Sequence, residues 1–186
     1  MHERANVIDD PRLNSNELSK WRSSVVAKLL EYCSAESTSS LKDHKDSIAV
    51  HWVNLIRKSP FSEMDIDNAL GTIYEPFTKS IELKLDQLEQ QIEVKTNKTQ
   101  LNKSFTEFKT DVLPSILQLV KLGDLPGLAE EHARDRSARF LRSISIKFHN
   151  MDTHKLSYEA NEIALKIADS DSLLEQLSSE NSLLND

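Results

Sequence analysis

Apolar residues recur along this chain at the spacing of amphipathic helices. The first apolar stripe has intervals of three and four residues and comprises Leu18, Trp21, Val25, Leu29 and Tyr32. The serine-rich run 34–40 predicts a loop. A second helix is predicted over residues 43–57, and a short third helix begins at Ser62. We expect these helices to form a small head, residues 14–75, whose core contains the largest side chains: Trp21, Trp52, Phe61 and Phe77.

A proline interrupts the pattern after the third helix. The residue before a proline avoids helical backbone, whereas proline itself fits the first turn of a helix. We therefore predict that the chain turns at Glu75 and that a new helix begins with Pro76. In this interpretation Glu75, Pro76 and Phe77 form an elbow, with Phe77 packed against Trp21 or Trp52 of the head. The alternative is a single helix kinked at Pro76.

A longer apolar pattern follows the proline and predicts a coiled-coil rod, residues 76–122. Its two registers are separated by the polar run 95–99: first Ile81, Leu85, Leu88 and Ile92, then Val94, Leu101, Phe105, Phe108 and Val112. A continuous helix over 78–113 would be roughly 54 Å long at about 1.5 Å per residue. Because a single helix cannot bury such a seam, we expect the seam to bind another subunit. Pro114 can kink or break this rod.

The last part of the chain, residues 128–186, predicts a helical docking segment. The stretch 134–148 fits a helix better than a strand, although Ile144, Ile146 and Phe148 alternate. Beyond it, the spacing of three and four returns at Ile163, Ile167, Leu174, Leu177 and Leu184. Polar residues occupy two positions of this series. In coiled coils, a polar residue at such a position sets the register or the number of partner helices. We expect the segment to dock on a partner, and the alternative is an antiparallel return onto helix 78–113.

Composition agrees with an all-α fold, a small N-terminal helical head followed by long coiled-coil helices. The 186 residues include only 3 Gly and 5 Pro, and 6% are aromatic. Cys33 is the single cysteine, so we expect a small core residue, no disulfide within the chain and a reducing compartment, the nucleus or cytosol. No apolar run reaches 18 residues, and we expect no membrane contact.

Charge gives one alternative function. The formal net charge is −7, which does not favour binding to DNA or RNA. The exception is a basic cluster with one interspersed acid, Asp135, and the cations Arg134, Arg136, Arg139, Arg142 and Lys147. Such a cluster can bind phosphates, pair with the acidic segment Leu156–Asp186, or pair with an acidic partner. A helical nucleic-acid-binding protein using Arg134–Lys147 is therefore the alternative, although we do not expect direct nucleic-acid contact.

Motifs for catalysis are missing from the sequence. It contains no glycine-rich phosphate loop and no nucleophile elbow. The six histidines include His149 and His154, five residues apart, which does not match the spacing of four that a helical metal pair uses. We predict a non-enzymatic protein with no metal, no cofactor and no small-molecule substrate.

The stretch 66–96, "IDNALGTIYEPFTKSIELKLDQLEQQIEVKT", resembles a segment of the kinetochore MIND (Mis-twelve) complex subunits of the Mis-fourteen or Nsl-one type. The matching positions are Glu75, Pro76, Phe77, Leu85, Leu88, Thr96 or Thr99, and Pro114. The resemblance implies a rod-shaped four-subunit complex that links inner centromere proteins to the microtubule-binding outer kinetochore. In such a complex this chain would be a scaffold in the nucleus, paired with other helical subunits in an obligate hetero-oligomer, with its C-terminal part at the outer end.

Overall fold

The computed structural model describes residues 15–93, 97–123 and 128–184, and every regular element within these ranges is a helix. This confirms the all-α prediction. The elements are α1 Ser15–Lys42, α2 Asp46–Arg57, α3 Glu63–Glu93, α4 Lys98–Glu107, a π-helical turn Phe108–Val112, α5 Leu113–Leu122, α6 Leu128–His149, α7 His154–Ile167 and α8 Asp171–Leu184. They form two compact units, with the boundary between Leu70 and Gly71 inside α3. The predicted rod and C-terminal docking segment thus belong to one unit, not to two.

Helix α1 continues through the serine-rich run, so the predicted loop at 34–40 is wrong. Ser34 and Ser37 are buried. The hydroxyl of Ser34 donates to the carbonyl of Ala69 (3.1 Å), and that of Ser37 donates to the carbonyl of Ala49 (3.3 Å). Small side chains let helices approach closely, and backbone carbonyls satisfy their hydroxyls. Here a polar composition marks a packing stripe in the first unit and not a loop.

Helix α3 runs through Pro76, so the predicted turn at Glu75 is wrong and the alternative of one helix is correct. Glu75 and Pro76 are exposed and Phe77 is half-buried, all in mid-helix. A proline there removes one amide donor. The hydroxyl of Thr78 donates to the carbonyl of Glu75 (3.2 Å), and Lys79 forms an ion pair with Glu75. Buried residues on both sides of the proline, including Tyr74 and Ile81, let packing offset its cost.

The predicted helix over 78–113 is also interrupted. Helix α3 ends at Glu93, and α4 begins after Asn97, whose side chain accepts a hydrogen bond from the amide of Gln100 (2.9 Å). Ser104 bonds to Gln91 across 3.1 Å. Farther along, Lys84 and Asp111 are 3.0 Å apart. These pairs run in opposite directions, so α4 and the π turn fold back antiparallel along α3.

A π-helical turn joins α4 to α5 just before Pro114. The amide of Leu113 donates to the carbonyl of Phe108, five residues earlier. Pro114 has no amide hydrogen, and it occupies the first turn of α5, where none is required. The wider turn therefore lets the chain continue as a helix past a proline that the sequence marked as a kink or break.

Aromatic side chains pack against one another in the core of the second unit. Phe105 and Phe148 meet edge to face with ring centroids 5.7 Å apart, and Phe108 stacks on Phe140 at 5.5 Å. Both contacts join the α4–π segment to α6. Helix α6 extends over Leu128–His149, which confirms the helical interpretation of 134–148 over the strand.

Candidate interaction surface

The predicted partner-binding seam lies inside the second unit. Its members on α3, α4 and the π turn are at most 5% exposed: Ile81, Leu85, Leu88, Ile92, Leu101, Phe105, Phe108 and Val112. Their prediction as an inter-subunit surface is wrong for this fold, since they contact their own chain. A seam with intervals of three and four residues requires an apolar partner, and an antiparallel helix from the same chain supplies it.

The predicted C-terminal docking segment is folded into the same core. Ile167 and Leu177 are buried and Ile163 and Leu174 are half-buried, whereas the Leu184 side chain lies outside the described residues. Helix α7 packs on α6 through hydroxyls that donate to each other's carbonyls: Ser145 to Ser157 (2.8 Å) and Ser157 to Ser145 (2.9 Å). It also reaches the π turn, where Lys109 pairs with Glu159 (2.8 Å). The segment therefore returns onto its own unit, chiefly onto α6, and is not an independent docking element.

Helices α7 and α8 form a hairpin closed by buried polar groups. The Asn161 amide nitrogen donates to the carbonyl of Leu177 (3.1 Å) and to the side-chain oxygen of Asn181 (3.2 Å). Asn181 in turn donates to Glu162 (2.9 Å). Asn181, one of the two polar residues in the C-terminal apolar series, thus fixes the register between two helices of the same chain.

The basic cluster is largely paired within the chain. Arg134 forms an ion pair with Asp169 and donates to the carbonyl of Ile167 (3.0 Å). The other partners are found along α3 and α8: Glu89 and Asp86 for Arg136, Glu180 for Arg142, and the carbonyl of Ile92 for Lys147. Bonds to Glu89 and Asp86 raise the pKa of Arg136, and those to Glu180 raise the pKa of Arg142. Of the open alternatives, pairing with the acidic C-terminal segment is confirmed for Arg134 and Arg142, whereas Arg136 and Lys147 bond to α3.

Asp135 fixes the junction between α7 and α8. Its carboxylate is buried and accepts hydrogen bonds from the amides of Asp169 (2.8 Å) and Ser170 (3.1 Å), just before α8 begins. Burial on its own would raise the pKa of Asp135. Hydrogen bonds from Ser170 and from these amides, with the nearby charge of Arg139, outweigh burial and lower that pKa below its usual value.

An apolar surface is exposed on the first unit. On α1 it comprises Trp21, Val25, Leu29 and Tyr32, which are 36–68% exposed. On α2 it comprises Ile48, Trp52 and Leu55, of which Ile48 and Leu55 are 46% and 45% exposed. The rings of Tyr32 and Trp52 meet edge to face at 5.8 Å, which joins the two groups. We call these seven residues the α1–α2 face.

The α1–α2 face corrects the predicted head. Trp21 was expected in the core and is 68% exposed, while Trp52 and Phe61 are half-buried and Phe77 belongs to the second unit. The opposite side of α1 is the packed one, with Leu30 and Leu41 beside the buried serines. The stripe was visible in the sequence, but larger apolar side chains were assumed to mark the buried side. Serines at 34, 37 and 40 were the signal for close packing. Leu18 lies outside the residues whose side chains are described.

The described ranges contain no cluster of three or more histidine, cysteine or acidic side chains able to hold a metal ion. His149 and His154 are exposed, with ring centroids 5.0 Å apart. Cys33 is half-buried, and burial raises the pKa of its thiol. None of the described helices is long and apolar enough to cross a membrane.

Comparisons of the chain with protein-family models, with curated proteins and with solved structures find no match.

Proposed function

We propose that this chain is a non-enzymatic structural subunit that binds another helical protein through the α1–α2 face. The observation that carries the proposal is the exposed stripe from Trp21 to Tyr32 on α1. Aromatic side chains offer roughly 150–250 Å² each, so Trp21 and Tyr32 alone leave on the order of 250 Å² exposed. With its aliphatic members the face reaches the roughly 300–600 Å² of the largest apolar patches on soluble monomers, which are often functional.

The state of α1 supports the same proposal. Between Ser19 and Leu29 every side chain is exposed except Val26, which is half-buried. Isolated helices are marginal in water and gain most of their stability from packing an apolar side. A partner helix along α1 would supply that packing. It would also bury the exposed Trp21 and Leu29, and this burial would stabilise the complex by about 25 cal/mol for each Å² of apolar surface removed from water.

A kinetochore scaffold is the narrower form of this proposal. Its support is the resemblance of the Glu75-Pro76-Phe77 region to MIND-complex subunits, although these residues lie within α3 and not at an elbow. The partners would be the other helical subunits of a hetero-oligomer in the nucleus, and they would meet the first unit and not the seam. Co-localisation of the tagged chain with a centromere marker in dividing cells supports this form. A diffuse cytosolic signal throughout division contradicts it.

Nucleic-acid binding receives less support. The cluster that suggested it includes Arg134, Arg136 and Arg142, and each of these is held by acidic groups of the same chain. A phosphate would have to displace a carboxylate at each position, so the charge available for counterion release is small.

The proposal is tested by capture from native extract with three forms of the full chain: wild type, Trp21→Glu and Leu83→Glu. Leu83 lies in the second unit and is 66% exposed, which closely matches the 68% exposure of Trp21. We expect Trp21→Glu to lose specific helical proteins that wild type and Leu83→Glu retain, as measured by quantitative mass spectrometry. An identical set of captured proteins for all three forms contradicts the proposal.

A further inference from the structure

The charges around the exposed stripe of α1 differ from those of the rest of the molecule. Residues 19–30 carry Lys20, Arg22 and Lys28 and no acid, so the segment has a charge of +3 within a chain of −7. All three side chains are exposed. Within the described part of the chain, none of them forms an ion pair, in contrast to most cations of the basic cluster on α6. These cations remain available to a partner.

The positions of two of the cations relate them to the apolar stripe. At about 100° per residue, the stripe from Trp21 to Leu29 covers one side of the helix, and Lys28 and Arg22 border its two edges. Charged residues at the edges of an apolar helical seam select the partner and its orientation. A helix that packs on this stripe would therefore meet a positive charge on both flanks.

We infer that the occupant of the α1–α2 face is an acidic amphipathic helix of a partner protein, which packs along residues 19–30 of α1. This inference rests on the proposed function and specifies the chemistry of the partner. Apolar side chains of the partner helix cover Trp21, Val25 and Leu29. Its flanking Asp or Glu residues pair with Arg22 and Lys28. Such charges accelerate association and exclude basic partners, while the buried aromatic supplies most of the affinity.

A second copy of the chain fits this stripe less well. Among the described acids of α1, Glu36 lies on the side of the stripe, whereas Glu31 points well away from it at the same angular spacing. Each copy would thus offer one suitable acid against the two cations, Arg22 and Lys28, that border the stripe of the other. A parallel arrangement would also place like charges together.

An anionic membrane is also disfavoured. Three cations contribute about 1 kcal/mol each near an anionic leaflet. The remainder of the chain carries −10, which is the −7 of the whole chain minus the +3 of this segment. That negative charge opposes approach to the same surface. The face also turns from α1 onto α2 at the Tyr32–Trp52 contact, which suits a helix lying between two helices more than a flat layer.

The test is site-specific photo-crosslinking in native extract, with the reactive group placed at Ser24 of the full chain. Ser24 is exposed and lies one turn before Lys28, beside the edge of the stripe that Lys28 borders. Cross-linked peptides are identified by mass spectrometry, and mixing isotopically light and heavy copies reveals cross-links between copies. We expect a peptide from another protein that has amphipathic helical spacing and a net negative charge. Charge reversal by Arg22→Glu with Lys28→Glu should lower its yield roughly tenfold. Lys98→Glu, an exposed site on α4, should leave it unchanged.

A compensating charge change in the partner tests whether the charges pair directly. Replacing the acids of the identified peptide by lysine should restore cross-linking to the Arg22→Glu, Lys28→Glu chain. A neutral or basic partner peptide overturns the inference and leaves the proposed function intact. Cross-links between copies of the chain, or to lipid, overturn the inference that the occupant is an acidic partner helix. If no protein cross-links and Trp21→Glu changes nothing in the captured set, both the inference and the proposed function fail.

Discussion

The two units of this chain use the same helical spacing in opposite ways. In the second unit the long apolar seam from Ile81 to Val112 is buried by the chain itself, with Leu85 and Leu88 fully covered. In the first unit the stripe from Trp21 to Tyr32 faces solvent, and small side chains such as Ser37 form the packed side. Spacing therefore identifies an apolar side of a helix but not whether its partner is the same chain or another one.

The largest expected effect is a buried charge in the second unit. Leu88→Asp should cost on the order of 5 kcal/mol or more, because Leu88 is fully buried and the carboxylate would have no partner there. Circular dichroism melts should show loss of the cooperative transition. Leu83→Asp, on the same helix but 66% exposed, is the control and should change stability by less than about 1 kcal/mol. If the Leu88→Asp chain melts like wild type, the seam is not buried by its own chain and is open to a partner.

A smaller loss is expected when a core ring is removed. Phe108 is fully buried and stacks on Phe140 at 5.5 Å, so Phe108→Ala should lower the free energy of unfolding by about 3–5 kcal/mol. Urea denaturation measures the change. A loss below about 1 kcal/mol would mean that the π turn does not hold this ring in the core.

Acidification should weaken the second unit through Asp135. Its folded pKa is lowered, so its contribution to stability is complete above the unfolded value of about 3.9 and is lost as the pH falls through the lower folded pKa. Asp135→Asn should therefore reduce stability at neutral pH, and the difference from wild type should shrink in acid. Urea midpoints across this pH range measure it. A difference that stays constant or grows on acidification contradicts the role of the ionised carboxylate.

The smallest effect on stability is expected on the α1–α2 face. Trp21→Ala should change the free energy of unfolding by less than about 0.5 kcal/mol, because the side chain is 68% exposed. The same variant should lose partner binding in the capture experiment. A decrease of several kcal/mol in the free energy of unfolding would show that Trp21 is buried in the core, as the apolar pattern alone predicts.

Much of the fold follows from local patterns. The helical class, the second helix and the helical nature of 134–148 all agree with spacing and composition, because these depend on neighbouring residues. Two errors share one cause, which is packing between distant residues. Pro76 is tolerated within α3 because both sides of it are buried. The run 34–40 stays helical because the carbonyls of Ala69 and Ala49 accept the hydroxyls of Ser34 and Ser37.

Predicting the candidate site requires long-range contacts even more than predicting the fold does. The seam looked unpartnered because the reversal at Asn97, which returns α4 along α3, was interpreted as a change of register. The basic cluster looked available because Glu89 lies 47 positions from Arg136 and Glu180 lies 38 positions from Arg142. Trp21 looked buried because size and apolarity usually indicate the core. The opposite side of α1 is the packed one, and the spacing of apolar residues does not reveal this.

Hydroxyl-radical footprinting of the purified chain, analysed residue by residue with mass spectrometry, tests the central contrast most directly. It measures the solvent exposure of aromatic side chains in both units at once. The structure predicts strong oxidation of Trp21 and Tyr32 and protection of Phe105, Phe108 and Phe148. Protection of Trp21 together with oxidation of Phe105 and Phe108 would contradict it, because the apolar stripe of α1 would then be inside and the seam outside.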